Sequence, residues 1–383
     1  MGKGRKLFLT DFCLTPREKI PTGAILCERD RIIGIGGSSS FSRSEEGQEV
    51  LDFTDCYAMP GFIDSHIHGI GPFSAADTPM VQETLSKMSE RLVKHGITTF
   101  CPTIVSRPSG LMLKTVEALV AAIKSGTDGA DVAGIHLEGP FLNPEKRGSQ
   151  DADAIMKKID FGFARELLQA GENRIKLFTF APELEHSEKL VELMLEYGAI
   201  PTMGHSNATE EETLRCIDAG ALRCTYIFNG MPLVHHRESS LTIVALTDDR
   251  VTVEMICDGA HIHPRFVDIV MRCKPSNKVV GISNSVASAE QTIAKQGVVV
   301  NAGGVIAGAT MSLEYSWQHL TTYANINSLL AAQCFTCNPA ENLGLITRGQ
   351  LMPGQRADIT FFDTKTNRVR ATVVRGKIVY QPE

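Results

Sequence analysis

No apolar run in the 383-residue chain reaches the ~18–20 residues that a membrane-crossing helix needs, because charges or glycines interrupt each one. Positive charge is not in excess. The net charge is -6 and the pI about 6.0, the opposite sign to that of a general nucleic-acid binder. Low-complexity tracts and internal repeats of roughly 20–50 residues are missing, which excludes solenoids and disordered tails. No GxGxxG turn is present to support a doubly wound dinucleotide-binding sheet. The N-terminus begins with basic residues, but its apolar part is too short for a signal peptide, so a soluble cytoplasmic protein is expected. The ten cysteines fall mostly in apolar segments, such as Cys101 in ITTFCPTI and Cys257 in VTVEMIC. Reduced, buried thiols are expected, and the single CxxC at Cys334 and Cys337 is weak support for zinc or dithiol chemistry.

What is present is enough hydrophobic residue, 43%, to bury a large core. The first ~57 residues read as short β segments, and the last ~35 return to that character. This predicts a small β-sandwich domain built from residues 1–57 and 343–383. Between the two ends, strand-like runs alternate with helical patterns: 57–64, 97–104, 131–138, 174–181, 199–204, 223–228, 251–257 and 278–283. Leu85, Met88 and Leu92 keep helical spacing ahead of Gly96, and 187–198 and 209–220 each end in glycine. Eight strands alternating with helices predict an α/β fold, a (β/α)8 TIM-like barrel over 58–342.

Function in such a barrel gathers where the strands end at their C-terminal side. Those ends carry His66 and His68, Glu138, His205, Asp258 with His261, and Asn284. His66-x-His68 puts two imidazoles on one side of a strand, and with Glu138 and His205 they suit a divalent cation, zinc first. Without a cation, Glu138 would need an ion pair with Lys146 or Arg147, because a lone buried carboxylate is costly. His136 shares a strand face with Glu138 and is left unassigned between the site and the barrel packing. His235, His236 and Arg237 form a local basic spot suited to an anion such as phosphate, or simply to solvent.

PGFIDSHIHG, GITTFCPT, GIHLEGPFLNPEKRG, MGHSNAT, FNGM followed by HHRE, DGAHIHP, AGATMSL and NPAENLGL together resemble the N-acetylglucosamine-6-phosphate deacetylase family of the amidohydrolase superfamily. The resemblance runs from about residue 7 to residue 380. It implies a homodimer with one or two divalent metal ions that removes acetate from an N-acetylated amino-sugar 6-phosphate. Carried over, Glu138 and His205 match metal ligands, and His66 and His68 the histidine pair of two-metal members. Ser149, Asn229, Gly230, Arg237, His261 and Ile306, Ala307 and Gly308 match substrate contacts. Arg237 matches the phosphate-binding arginine that reaches the neighbouring subunit's site.

Three positions depart from the family pattern. Tyr226 stands where a metal-binding histidine is expected, Asn284 where the catalytic aspartate is expected, and Gln150 where the loop histidine is expected. The segment from Asn284 to Ile306 also looks shortened. Asn284 cannot accept a proton at neutral pH, and losing a general acid–base typically costs on the order of 10²–10⁴ in rate. Three readings follow: a deacetylase with altered proton transfer, a catalytically impaired paralogue that binds a sugar phosphate as sensor or partner, and an amidohydrolase with a changed substrate.

Overall fold

The computed structural model describes residues 4–76, 78–288, 297–301 and 303–382. Eight parallel strands succeed one another around a barrel: Phe62–Ile67, Ile97–Val105, Ile135–Glu138, Ile175–Phe180, Ile200–Met203, Arg223–Cys224, Thr252–Ile256 and Val279–Ile282. The first and eighth strands meet through Asn284 N–H donating to His66 O at 3.0 Å and His68 N–H donating to Ser285 O at 2.8 Å. Six of the eight predicted strand runs of the middle region contain one of these strands, and the runs 57–64 and 97–104 overlap theirs.

Local chemistry explains the helices between them. Val81–Leu92 buries Val81, Leu85, Met88 and Leu92, one face of a 3.6-residue period, and the chain turns at Gly96, whose φ of 75° favours glycine. Glu210–Ala219 opens with a reciprocal capping box between Thr209 and Glu212 and stops at Gly220, φ 114°. These helices pack on the barrel through a large apolar cluster that includes Phe62, Leu119, Phe178, Leu190 and Val253.

The terminal segments build a second unit. The strands Arg5–Leu14, Gly23–Glu28, Arg31–Gly37, Gln48–Pro60, Ile359–Asp363, Val369–Val374 and Lys377–Tyr380 form one mostly antiparallel sheet, with Lys19–Pro21 on its edge. Its two ends meet: Lys6 Nζ donates to Gly376 O at 3.2 Å, and a Cβ on Gly376 would fall 1.8 Å from Arg29 O. A separate core with Phe8, Ile25, Phe53 and Phe361 fills the fold of this sheet. A buried ionic knot joins the two units, with Asp131 of the barrel paired to Arg356 and to Arg348 at 3.3 Å.

Two segments differ from the sequence reading. Tyr57 to Pro60 belongs to the terminal sheet, and the barrel begins at Phe62. Gly61 marks the crossing, because a Cβ there would sit 2.1 Å from Thr98 Cγ2. The sixth strand is two residues long, not six, because the chain leaves the ladder after Cys224, and Phe228 adopts a φ of 74°. The middle of the segment judged shortened lies outside the described residues.

Candidate metal centre and active site

The barrel mouth is a cavity of about 780 Å³ whose floor carries His68, Glu138, His205, Tyr226 and Asn284. His66 and His68 leave the first strand, Glu138 ends the third, and His205 and Tyr226 follow the fifth and sixth. Period-2 alternation turns His136 and Glu138 to the same side of the third strand. His205 and Asn284 hold φ values of 48° and 47°, the left-handed region that non-glycine residues seldom adopt and that clusters at functional positions.

His66, His68 and Glu138 each offer a ligand atom, and these atoms lie within 4.8 Å of one another. His66 Nε2 is 3.6 Å from Glu138 Oε1, and His68 Nε2 is 3.5 Å from Glu138 Oε2. His205 joins through Glu138, with Nε2 3.0 Å from Oε1. The proton positions follow from the other ring nitrogens. His205 Nδ1 lies 2.6 Å from Lys146 O, a carbonyl that can only accept, so Nδ1 carries the proton. In the neutral ring, the Nε2 lone pair then faces the Glu138 carboxylate, an arrangement that calls for a proton or a cation between them.

The His66 ring repeats this logic. Its Nδ1 meets Glu254 Oε2 at 3.0 Å, while its Nε2 is buried and has no hydrogen-bond partner among the described residues. An orphaned, fully buried acceptor aimed at a carboxylate fits a missing electrophile, and two imidazoles with a carboxylate are donors suited to a divalent cation.

Electrostatics agree. Burial pushes the Glu138 carboxyl up, but the His205 hydrogen bond and the surrounding imidazoles outweigh it and hold the group well below the usual carboxylate range. Burial drives His68 down to about 4, which keeps a neutral ring, the form that binds metal. His66 goes the other way and is raised: burial opposes its charge, but Glu254 and Glu138 more than compensate, so Nε2 facing Glu138 favours a positive charge there, a proton or a cation in its place. Burial, assisted by Glu138, pushes the Tyr226 phenol well above its ordinary value, so it remains a donor.

Tyr226 Oη contacts both Glu138 Oε1 and His205 Nε2. Gln150 Nε2 approaches His205 Nε2 at 3.2 Å. The Asn284 side chain lies close enough to the His68 ring to oppose, in part, the effect of burial on it. Glu138 has no ion pair with Lys146 or Arg147: Lys146 donates to Met231 O and Arg147 to Pro144 O. His136 is barrel packing, set between Thr179 Oγ1 at 2.8 Å and Thr103.

Ser149, Asn229, Gly230, His261, Ile306 and Ala307 line the cavity, while Gly308 lies just beyond the lining and Arg237 is exposed on its loop outside it. Sequence reasoning placed Asp258 beside His261 but missed two partners, Glu254 and Arg223. Asp258 Oδ2 accepts from His261 Nδ1 at 2.6 Å, and Glu254 with Arg223 stands behind His66. A signal was present for Glu254, which interrupts the apolar strand Thr252–Ile256 with a charge, whereas Arg223 opens its two-residue strand. The cysteines are all free, Cys273 exposed and Cys337 partly so, and the CxxC forms no metal cluster among the described residues.

With this geometry, a metal-dependent hydrolase barrel is the class defined, and comparison with known proteins agrees. The amidohydrolase family model matches residues 57–379. The chain is 28% identical over 390 residues to the N-acetylglucosamine-6-phosphate deacetylase of Bacillus subtilis, covering 98% of this chain and 97% of that one. It is 30% identical over 364 residues to the mouse (Mus musculus) enzyme of the same name, covering 88% of each. The N-acetylgalactosamine-6-phosphate deacetylase of Escherichia coli O157:H7 is 26% identical over 317 residues, covering 80% of this chain and 83% of that one. A solved mutant of the Mycobacterium smegmatis N-acetyl-D-glucosamine-6-phosphate deacetylase, in complex with N-acetyl-D-glucosamine-6-phosphate, superposes with a TM-score of 0.90 at 26% identity, covering 99% of this chain and all of that one. The chain belongs to the amidohydrolase family, and within it to the N-acetylglucosamine-6-phosphate deacetylase group. No helix among the described residues is long and apolar enough to cross a membrane.

Proposed function

We propose that the protein is a divalent-metal-dependent hydrolase that removes acetate from an N-acetylated amino-sugar 6-phosphate. The observation that carries this reading is the group of His66, His68 and Glu138, with His66 Nε2 orphaned, beside an open cavity of about 780 Å³. His66, His68, Glu138 and His205 would hold the ion, zinc being the first expectation for this donor set. Bound there, the cation would supply Lewis acidity toward the acetyl carbonyl. His261, held by Asp258, orients the substrate, and Ser149, Asn229, Gly230 and the Ile306 to Gly308 stretch frame the sugar. Arg237 is assigned to the phosphate in the site of a neighbouring copy, in a homodimer, since its own loop leaves it outside this cavity. The free thiols suit a reducing cytoplasm.

Proton transfer is where this chain stands apart. Asn284 is an amide and takes no proton from water, so the usual aspartate role has no occupant at that position. The Tyr226 phenol keeps its proton and spends it inside the cluster. These two residues support a second reading, an impaired paralogue that binds a sugar phosphate as sensor or partner. The galactosamine relative supports a third, a different amino sugar in the same cavity.

One assay separates them. Zinc- or cobalt-supplemented protein is tested for acetate release from N-acetylglucosamine 6-phosphate. Turnover supports deacetylation. Thermal stabilisation by the sugar phosphate without turnover supports the binder. Neither response, with turnover of another acetylated amino sugar phosphate, supports the changed substrate.

A further inference from the structure

Two charged residues that the proposed chemistry does not use lie wholly inside the barrel. Arg223 and Glu254 stand on the adjacent sixth and seventh strands, and neither has any exposed surface. Arg223 donates to Glu254 Oε1 from Nε at 3.0 Å and from Nη2 at 2.6 Å, and also from Nη2 to Ser65 Oγ at 2.6 Å. The other carboxylate oxygen, Oε2, faces His66 Nδ1 at 3.0 Å and accepts a longer hydrogen bond from the Tyr226 backbone N–H at 3.5 Å. Arg223 Nη1 finds no partner among the described residues. A buried ion pair is an expensive way to fill a barrel, and apolar residues of similar volume often stabilise as well or better. The arrangement therefore asks for a role other than packing.

We infer that Arg223 and Glu254 are a positioning pair for His66, setting which of its ring nitrogens faces the cation. The inference rests on the reading of His66 as a metal ligand. Arg223 can only donate, so it claims Oε1 and leaves Oε2 as an acceptor. That acceptor fixes the His66 proton on Nδ1. The lone pair then falls on Nε2, the nitrogen that has no protein partner and points toward Glu138. Ser65 anchors the guanidinium from the strand that carries His66. Carboxylates placed behind a ligating imidazole orient it and raise its basicity, and their loss typically costs about 10–100-fold in metal affinity.

The division of oxygens makes the test specific. Glu254→Gln retains the shape but has one oxygen and one NH2. Arg223 still takes the oxygen, so the NH2 turns to His66 Nδ1. That nitrogen must then accept, which moves the ring proton to Nε2 and points it at the ion. The expected result is roughly 10–100-fold weaker cobalt(II) binding, measured by competition with a chelating dye on the full-length chain. Adding Arg223→Met to Glu254→Gln releases the amide oxygen for His66 and should recover part of that affinity. A pair that only packs gives a double variant no better than the single one. The urea midpoint of the metal-free proteins, recorded alongside, separates stability from affinity. Wild-type protein that binds no cobalt overturns the metal reading itself, whereas equal affinity in wild type and Glu254→Gln overturns the positioning role alone. Should the variants not fold, 15N-histidine spectra of the zinc-loaded wild type decide. A proton on His66 Nδ1 with Nε2 coordinated is expected, and the reverse assignment overturns the inference.

Discussion

Tyr226 sets its phenol against the Glu138 carboxylate inside the candidate metal cluster. Burial keeps the phenol protonated, so Tyr226 donates and Glu138 accepts. The contact ties the loop after the sixth strand to the end of the third. Tyr226→Phe removes a donor from a buried, charged group, and the metal-free protein should lose about 1–3 kcal/mol. Urea unfolding measures this, and an unchanged midpoint would show that the imidazoles alone satisfy Glu138.

Proton transfer gives the second prediction. Asn284→Asp combined with Tyr226→His should raise kcat/KM for acetate release by on the order of 10² or more, the lower end of what a general acid–base contributes. A double variant that folds, binds metal and shows no gain would mean that position 284 does not face the reacting atoms.

Acid sensitivity provides the third. Burial pushes the Glu254 carboxyl up, but Arg223 and His66 outweigh it and bring the group down to about 2. Its unfolded value is ~4.3. Because the folded value is the lower one, the stability that Glu254 contributes is fully present above the unfolded value and is lost as pH falls from ~4.3 toward 2. Urea unfolding of metal-free protein at about pH 6, 4 and 3 should show this decline, and Glu254→Gln should flatten it. Identical acid slopes in the two proteins would contradict the assignment.

Thiol chemistry supplies the fourth. Burial pushes Cys13, Cys27, Cys56, Cys101 and Cys334 up to about 12, so these thiols stay protonated and shielded. A thiol reagent applied to the native protein at mildly alkaline pH should modify Cys273 first, with Cys337 slower and the rest only after denaturation. Rapid reaction at Cys334 would place the CxxC on the surface.

The barrel was legible because its strands carry apolar runs and its helices carry their own stops, such as Leu85, Met88 and Leu92 ahead of Gly96. The ends of the strands also exposed His66, His68, Glu138 and His205, since polar groups at such places stand out against apolar runs. Strand limits were less legible. Tyr57 to Pro60 is as apolar as the barrel strand that follows, and only the close approach of Gly61 to Thr98 reveals the crossing between units. The Arg223 and Glu254 pair was hidden because pairing across two strands 31 residues apart depends on register, which a one-dimensional pattern does not carry. Arg237 posed a different difficulty. Its role was assigned to the site of another copy, and one chain holds that residue in solvent.

The most direct test of the central claim is the metal content per chain, measured by elemental analysis after dialysis against buffered zinc. The account predicts at least one tightly held divalent ion per chain, lost in Glu138→Ala and in His68→Ala while both variants stay folded. Wild-type protein that emerges folded and metal-free, or variants that retain the ion in full, would contradict it.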